Sequence, residues 1–375
     1  MEILSILIIF IYCILILYFT IGFNKVSDYK INNHIPKNKF SIIVPFRNEA
    51  ENLPALLNSF SQIDYPENLF EIILINDDSS DDYLSVLNHF KTEFSKLKIN
   101  LLQNKIKTSS PKKDAVELAI NQTKFDWIIT TDADCIVPNN WLITLDSFLQ
   151  ENSCTMIVAP VAYSIKNNFL NHFQNLDFLS LQGTTIGSFG VNNPFLCNGA
   201  NLCYSKKVFF DVNGFEGNTN IASGDDVFLM QKFLASNKGS VKYLKSDQAI
   251  VLTKTQSTWK SLIQQRIRWA AKTGSYDNSI SKIVGLIVFI TNIYLILLLV
   301  LAIFNEISWQ HISLFYLMKL NIDFILLYKT ADLFKQKDSL KSYLYSSFLY
   351  PFFSVYVAVL SFFKGYEWKG RSFKK

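Results

Sequence analysis

Apolar positions along this chain follow two regimes: long unbroken runs at both ends, and short blocks separated by polar turns in between. Ile3 to Phe23 is an apolar run long enough to cross a bilayer, with Glu2 as its only charge before Lys25. It is too long for the core of a secretory signal and lacks a small-residue cleavage site, so it reads as a retained anchor. Three more apolar stretches follow residue 280: Ile283–Phe304, Ile312–Tyr328 and Leu344–Phe363. The second carries Lys319 and Asp323, four apart and able to pair on one helix face, and the third has Pro351 near its middle.

Between these runs the blocks have strand and helix length. Phe40–Phe46 predicts a strand and Glu49–Phe60 a helix. Phe70–Ile75 predicts the next strand, closing on Asn76-Asp77-Asp78-Ser79-Ser80-Asp81-Asp82, with a helix to Phe94. Ile99–Leu102 reads as a strand and Pro111–Asn121 as a helix. Phe125–Ile129 is an apolar run with β-branched residues that stops abruptly at Thr130-Thr131-Asp132-Ala133-Asp134-Cys135. Pro138 opens a further helix and Cys154–Val161 forms a further strand. This alternation predicts an α/β domain, a mostly parallel sheet flanked by helices. Ligands of such sheets gather at the carboxyl ends of the strands, where the acidic clusters at 77–82 and 132–134 both fall. Beyond residue 165 the alternation stops. Leu170–Ile186 reads as a helix, Phe195–Tyr204 as a strand with a glycine bend, and Val227 onward as a helix behind Ser223-Gly224-Asp225-Asp226. Thr258–Lys272 reads as an amphipathic helix.

Composition adds a membrane to this picture. The chain is 49% apolar with 32 Phe, an excess concentrated at the two ends. Lys25, Lys30, Lys37 and Lys39 follow the first run, which predicts a cytoplasmic central domain and an integral membrane protein. A loop at Asn305–His311 without Lys or Arg fits the outside, and Lys329, Lys335, Lys337 and Lys341 fit the inside. A third C-terminal crossing would export Lys364, Lys369, Arg371, Lys374 and Lys375, against the rule, so a hairpin or interfacial element bent at Pro351 is the competing expectation. The net charge of +5 lies largely beside apolar segments, which points to anionic lipid and not to nucleic acid. The five cysteines show no metal-type spacing and are expected as reduced thiols.

The acidic clusters carry the candidate chemistry. In extended chain, residues two apart share a side, so Asp132 and Asp134 are expected to converge beyond their strand. Converging carboxylates repel unless a cation or proton lies between them, and a hard Mg²⁺ or Mn²⁺ suits such oxygen ligands. A simple strand-ending turn is the alternative. Asp77 and Asp78 suit a base or ribose, or equally an Asx turn or helix cap. Neither Gly-x-Gly-x-x-Gly nor a P-loop occurs, so phosphate would be held through a metal and basic side chains. At the helix N-terminus after Gly224, capping explains one of Asp225 and Asp226, leaving a candidate general base. On the helix at 258–272, Arg268 and Trp269 suit either a headgroup layer or a diphosphate and a sugar.

In this order, the segments resemble the membrane-associated family 2 glycosyltransferases, which include cellulose, chitin and hyaluronan synthases and ceramide glucosyltransferases. The resemblance covers residues 38–275. Val44-Pro45-Phe46-Arg47-Asn48-Glu49 resembles the family's first strand and loop, which implies a place near the nucleotide for Pro45, Arg47 and Glu49. Asp77 and Asp78 fall in the segment that contacts base and ribose, with Ser79 where Gly is commoner. Pro111-Lys112-Lys113-Asp114-Ala115 resembles the Lys-containing segment near the nucleotide, with Lys113 as the expected contact. Asp132-x-Asp134 resembles the metal and diphosphate motif, and Gly199-Ala200-Asn201 the strand bordering donor sugar and acceptor. Gly224-Asp225-Asp226 resembles the segment whose final Asp is the catalytic base, which implies that role for Asp226, with Asp225 in place of the usual Glu. Gln265-x-x-Arg268-Trp269 resembles the interfacial-helix signature.

The resemblance implies a GT-A nucleotide-diphospho-sugar transferase domain with transmembrane helices at both ends. Its boundaries are an anchor at 1–24, a domain at 38–275 including the interfacial helix 258–272, a membrane region at 283–363 and a basic tail at 364–375. It further implies inverting transfer from a nucleotide-sugar donor, expected to be a UDP-sugar, to a lipid, lipid-linked or glycan acceptor, with Mg²⁺ or Mn²⁺ as cofactor. The few C-terminal segments favour single-sugar addition over a processive polysaccharide synthase. A nucleotidyltransferase would carry a Gly-rich basic loop where Arg47-Asn48-Glu49 stands, and a non-catalytic membrane partner would have lost the acidic pairs.

Overall fold

The computed structural model describes residues 2–32, 35–94, 97–272, 278–363 and 365–373. The expected domain end at 275, and Lys364, Lys374 and Lys375 of the basic tail, lie outside the described residues. The chain opens with α1 (Glu2–Lys25), β1 (Phe40–Phe46), α2 (Leu53–Ser61), β2 (Phe70–Asn76), α3 (Tyr83–Glu93) and β3 (Ile99–Gln103). It continues through α4 (Pro111–Gln122), β4 (Trp127–Thr130), α5 (Trp141–Glu151), β5 (Met156–Val158), β6 (Val161–Ser164) and α6 (Phe169–Gly190). Next come β7 (Leu202–Ser205), α7 (Lys206–Asp211), α8 (Asp225–Ser236), β8 (Val241–Tyr243) and β9 (Val251–Lys254). It closes with α9 (Trp259–Ala271), α10 (Ser279–Ile303), α11 (Trp309–Leu333), α12 (Tyr343–Phe363), β10 (Tyr366–Trp368) and β11 (Arg371–Phe373).

These elements form two compact units. The sheet unit is Ser27–Ser164 with Cys197–Lys254, and the helical unit is Met1–Val26, Ile165–Leu196 and Thr255–Lys375. In the sheet unit seven strands run in the order β3-β2-β1-β4-β7-β5-β8. All neighbours are parallel except β7, which is antiparallel to both β4 and β5. Ile42, Ile43 and Val44 of β1 and every residue of β2 are buried, as a sheet covered on both faces requires.

The strand expected at Cys154–Val161 is instead two. β5 stays in the main sheet, while β6 leaves it to pair in parallel with β9. The break falls at Pro160, which has no N–H for the ladder and offers its carbonyl to Val251 N (3.1 Å) and Asn201 Nδ2 (2.8 Å). The strand expected at Phe195–Tyr204 shortens in the same way, because Gly199–Asn201 forms a 3-10 turn before β7. The helix expected from Pro138 starts at Trp141, whose N–H bonds to Pro138 O (3.0 Å).

In the helical unit, among the described residues, four helices are long and apolar enough to cross a membrane: α1, α10, α11 and the segment Lys337–Phe363 that contains α12. On α1 the positions Ile9, Tyr12, Ile16, Phe19 and Phe23 are buried at helical spacing, while Leu7, Phe10, Ile14 and Leu17 are exposed on the other side. α12 runs through Pro351 as one helix, so the hairpin expectation does not hold. Lys319 and Asp323 form the expected ion pair along α11, and Tyr12 OH donates to Asp323 (2.7 Å) from α1. α6, read from sequence as part of the soluble domain, belongs to this unit and packs on α1. Glycines set that approach: a Cβ built on Gly187 would lie 2.4 Å from Phe19 O, and one on Gly22 would lie 2.1 Å from Gly187 O.

A side chain at this crossing must push two helix backbones apart. Gly187→Val is expected to destabilise the detergent-purified protein by about 1–3 kcal/mol. Gly285→Ala, where nothing lies within 4 Å of the new Cβ, is expected to leave the midpoint unchanged or slightly raised. Thermal melts of the two variants beside the wild type check this, and equal midpoints for all three would refute the close-packed crossing.

Candidate active site

The carboxyl ends of β1, β2 and β4 carry three loops in the sheet unit. The first two are stitched together by the chain's own polar groups. Asn48 Oδ1 accepts Ser80 N–H (2.8 Å), Ser79 Oγ accepts Asn48 N–H (2.9 Å), and Asp81 accepts Ala50 N–H (2.6 Å). Arg47 Nη1 donates to Asp77 O (2.8 Å), to Asp78 O and to the Asp78 carboxylate (3.0 Å). Asn48 and Asp78 take positive φ (51° and 59°), a conformation short polar side chains tolerate. The adjacent aspartates therefore differ. Asp77 is 3% exposed and accepts Asn104 Nδ2 (2.8 Å), whereas the side chain of Asp78 is 77% exposed. Glu49 is buried and accepts from Asn52 Nδ2 at the start of α2, and Pro45 lies within β1.

The Asp132-x-Asp134 segment is not extended. β4 ends at Thr130, and Cys135 N–H bonds back to Asp132 O (3.2 Å), closing a turn. Convergence through strand alternation is therefore corrected: the turn, anchored by Thr131 N–H on Ile43 O (3.2 Å), places both carboxylates. Burial, together with the neighbouring Asp134 and Asp132, pushes the Cys135 thiol well above the usual thiol range.

Lys112 joins this turn to the acidic pair on α8. Its ammonium lies 2.9 Å from Asp132 Oδ1 and 3.4 Å from Asp225 Oδ2. Burial alone would lower its pKa, but Asp132, Asp225 and Asp226 outweigh that and hold it above the usual lysine range. Asp226 Oδ2 accepts Gly199 N–H (3.1 Å), and its Oδ1 accepts Val227 N–H (2.8 Å). A Cβ on Gly199 would sit 3.5 Å from both Asp225 Oδ2 and Asp226 Cβ, so the 3-10 turn before β7 lies directly against the pair.

Two expected nucleotide contacts are placed elsewhere. Lys113 is buried, with its ammonium on Asn218 O (2.6 Å), Asn218 Oδ1 (2.8 Å) and Ile221 O (2.9 Å). Consecutive helix residues point about 100° apart, and it is Lys112 that turns to the acidic residues. Asn201 is also interior: it accepts Trp141 Nε1–H (3.0 Å) and donates to Pro160 O and Ala249 O (both 2.8 Å). Asn104, absent from the sequence expectations, donates to Asp77 and to Pro111 O (3.0 Å) and so links the end of β2 to α4. A polar residue just past β3 was the only available signal for it.

A divalent cation fits the oxygen chemistry of Asp132 and Asp134, and the 37% exposure of the Asp132 side chain leaves it reachable. Among the described residues no group of three or more His, Cys, Asp or Glu forms a metal cage.

Gln265, Arg268 and Trp269 lie on α9 in the helical unit. There the sequence reading missed Arg266, hidden in a variable position of the signature. Arg266 is buried, pairs with Asp177 of α6 (2.6 Å), lies 4.3 Å above the Trp269 ring and bonds Gln265 Oε1. The apolar side of α9 is covered by protein: Leu262 and Ile267 cluster with Phe173 of α6 and Phe353 and Val357 of α12.

The profile of the family described as "Glycosyltransferase like family 2" matches residues 36–272. The chain is 23% identical over 250 residues to the poly-beta-1,6-N-acetyl-D-glucosamine synthase of Staphylococcus epidermidis, covering 66% of this chain and 57% of that protein. It is 27% identical over 156 residues to the beta-monoglucosyldiacylglycerol synthase of Trichormus variabilis, covering 40% and 33%. The chain spans 57% and 33% of the length of these two relatives. The mannosyltransferase PcManGT of Pyrobaculum calidifontis, solved with GDP-Man and Mn²⁺, superposes with a TM-score of 0.57 at 13% identity, covering 96% of this chain and 99% of that one. The shared architecture is the GT-A fold.

Lys112 offsets the repulsion among Asp132, Asp225 and Asp226, so Lys112→Met is expected to lower the melting temperature. Because the folded pKa of Lys112 is raised, its contribution is fully present below the unfolded lysine value of about 10.4 and is lost as pH rises through the folded value. The wild-type-minus-variant difference should stay constant from pH 6 to 9 and shrink only above that. A difference that already shrinks across pH 6–9 would refute the assignment.

Proposed function

The chain belongs to the glycosyltransferase like family 2, and from that premise we propose that it is an inverting glycosyltransferase moving a sugar from a nucleotide-sugar donor to a lipid, lipid-linked or glycan acceptor at a membrane. The observation that carries this reading is the single ammonium of Lys112 shared between Asp132 and Asp225, 2.9 and 3.4 Å away. It ties the candidate leaving-group site to the candidate base pair. A UDP-sugar is the proposed donor, and the basic residues after α1 support a cytoplasmic active site.

In this mechanism Asp77 and Asp78, from the loop stapled by Arg47, take the base and ribose. Asp132 and Asp134 would hold a divalent cation, which would offset the charge of the departing nucleoside diphosphate. Lys112 stands beside the same diphosphate. Asp226, oriented by the N–H groups of Gly199 and Val227, accepts the proton of the acceptor hydroxyl as its oxygen attacks the anomeric carbon from the face opposite the leaving group. One C–O bond forms, one breaks, and the pair of electrons leaves with the diphosphate. The roles of Arg268 at the leaving group and of Trp269 against a sugar, with Gln265 in the same signature, rest on the sequence resemblance. The similarity to a glucosyldiacylglycerol synthase supports a lipid acceptor.

The test incubates purified protein in lipid with UDP- and GDP-sugars and host lipid extract, and reads products by mass. A single hexose-type mass shift with a UDP-sugar is expected; a ladder of products would indicate processive synthesis, and release of no nucleoside diphosphate would refute transfer. Asp226→Asn is expected to bind donor normally and lose about 10²–10⁴-fold in transfer; near-normal turnover would reject the base assignment. Chelation with EDTA is expected to abolish calorimetric binding of UDP, and unchanged binding would remove the metal role of Asp132 and Asp134.

A further inference from the structure

Lys113 carries a buried ammonium that the proposed mechanism does not use. The residue is 1% exposed. Taking an ammonium out of water is costly unless oxygen atoms replace its hydration shell. Here Asn218 O, Asn218 Oδ1 and Ile221 O do so at 2.6, 2.8 and 2.9 Å, and the Phe228 ring lies 4.9 Å away. The segment 218–221 wraps the charge as a loop wraps a metal ion, with two of its three oxygens from backbone.

Where that loop leads gives the contact its consequence. From Ile221 the chain runs through Gly224, whose φ of +84° turns it into α8, and directly into Asp225 and Asp226. Phe228 sits in the first turn of the same helix. Lys113 therefore grips both the approach to the acidic pair and the turn that carries it. It does so from the helical turn whose preceding residue, Lys112, meets Asp225.

We propose that Lys113 is a positioning residue for the transfer reaction, its ammonium acting as a tethered internal cation that fixes segment 218–224 and so aims Asp226 at the acceptor hydroxyl. The inference rests on the reading of Asp226 as the base. It places the effect on turnover, not on donor affinity, because the donor-side loops after β1 and β2 are held by their own hydrogen bonds.

The test uses full-length Lys113→Ala in lipid, with hydrogen exchange of residues 215–224, calorimetric UDP binding, and transfer with the donor and acceptor that the wild type uses. Faster exchange in 215–224, near-normal UDP affinity and a fall in kcat of about 10²-fold, the scale of a misplaced catalytic group, are expected. Methylammonium should refill the oxygen cage, restoring both exchange protection and kcat with saturation, while tetramethylammonium, which has no N–H to donate, should do neither. Asn218→Ala, which keeps the lysine and removes one oxygen of the cage, should fall in between and serves if Lys113→Ala does not fold. Unchanged exchange in 215–224, or losses that methylammonium leaves as they are, would overturn the proposal. If the wild type transfers no sugar, the parent reading fails, and the exchange arm still decides whether Lys113 holds the loop.

Discussion

Carboxylates brought together at the end of a sheet push one another apart, and two like charges 4 Å apart repel by about 4 kcal/mol at an effective dielectric of about 20. Asp132 sits on the turn after β4 and Asp225 at the start of α8, yet both reach one ammonium. The first turn of α4 supplies that charge and more. Pro111 O accepts Asn104, Lys112 meets the carboxylates, Lys113 holds 218–221, and the Asp114 carboxylate accepts Lys107 N–H and Thr108 N–H (2.8 and 2.9 Å). Four successive residues thus secure four segments of the sheet unit. The site's geometry depends on that turn more than on any strand.

Much of this was legible in the residues. β1 and β2 read directly because strands buried on both faces are continuous apolar runs, and α4 was bounded to within a residue by Pro111. What stayed illegible needed a third dimension. Nothing local says that β7 enters antiparallel between β4 and β5, or that Pro160 hands the chain from one sheet to another. Choosing between Lys112 and Lys113 depends on where a helix face points after packing. Arg266 escaped notice because its partner, Asp177, lies far away in sequence on a helix whose own pattern is weakly amphipathic.

α6 shows how polarity is used inside the helical unit. It buries Asn171, His172, Gln174, Asn175, Asp177 and Gln182, residue types that seldom lie inside without partners. Gln174 exchanges hydrogen bonds with Gln256, Asn175 Nδ2 and His172 Nδ1 meet Ser339, and Asp177 takes Arg266. Buried pairs of this kind add little net stability against an apolar substitute, because desolvation offsets their attraction. Their directional bonds specify which residues of α6, α9 and the Lys337–Ser342 turn face each other.

The chain leaves the sheet unit after Ser164 and rejoins it at Cys197. β5 touches the main sheet only through β7 and β8, both of which are made after that excursion. On a ribosome, β5 therefore emerges with no neighbour to pair with, and its exposed edge must wait while residues 159–201 are synthesised. Assembly of the sheet around β5 is thereby ordered behind the production of α6, and the second edge of β5 stays open until β8 is made at Val241–Tyr243. A fragment ending at residue 164 would keep the turn bearing Asp132 and Asp134 but leave β5 without either neighbour and lose the acidic pair altogether. A version of the sheet unit without this excursion would instead join Ser164 to Cys197 through a designed linker.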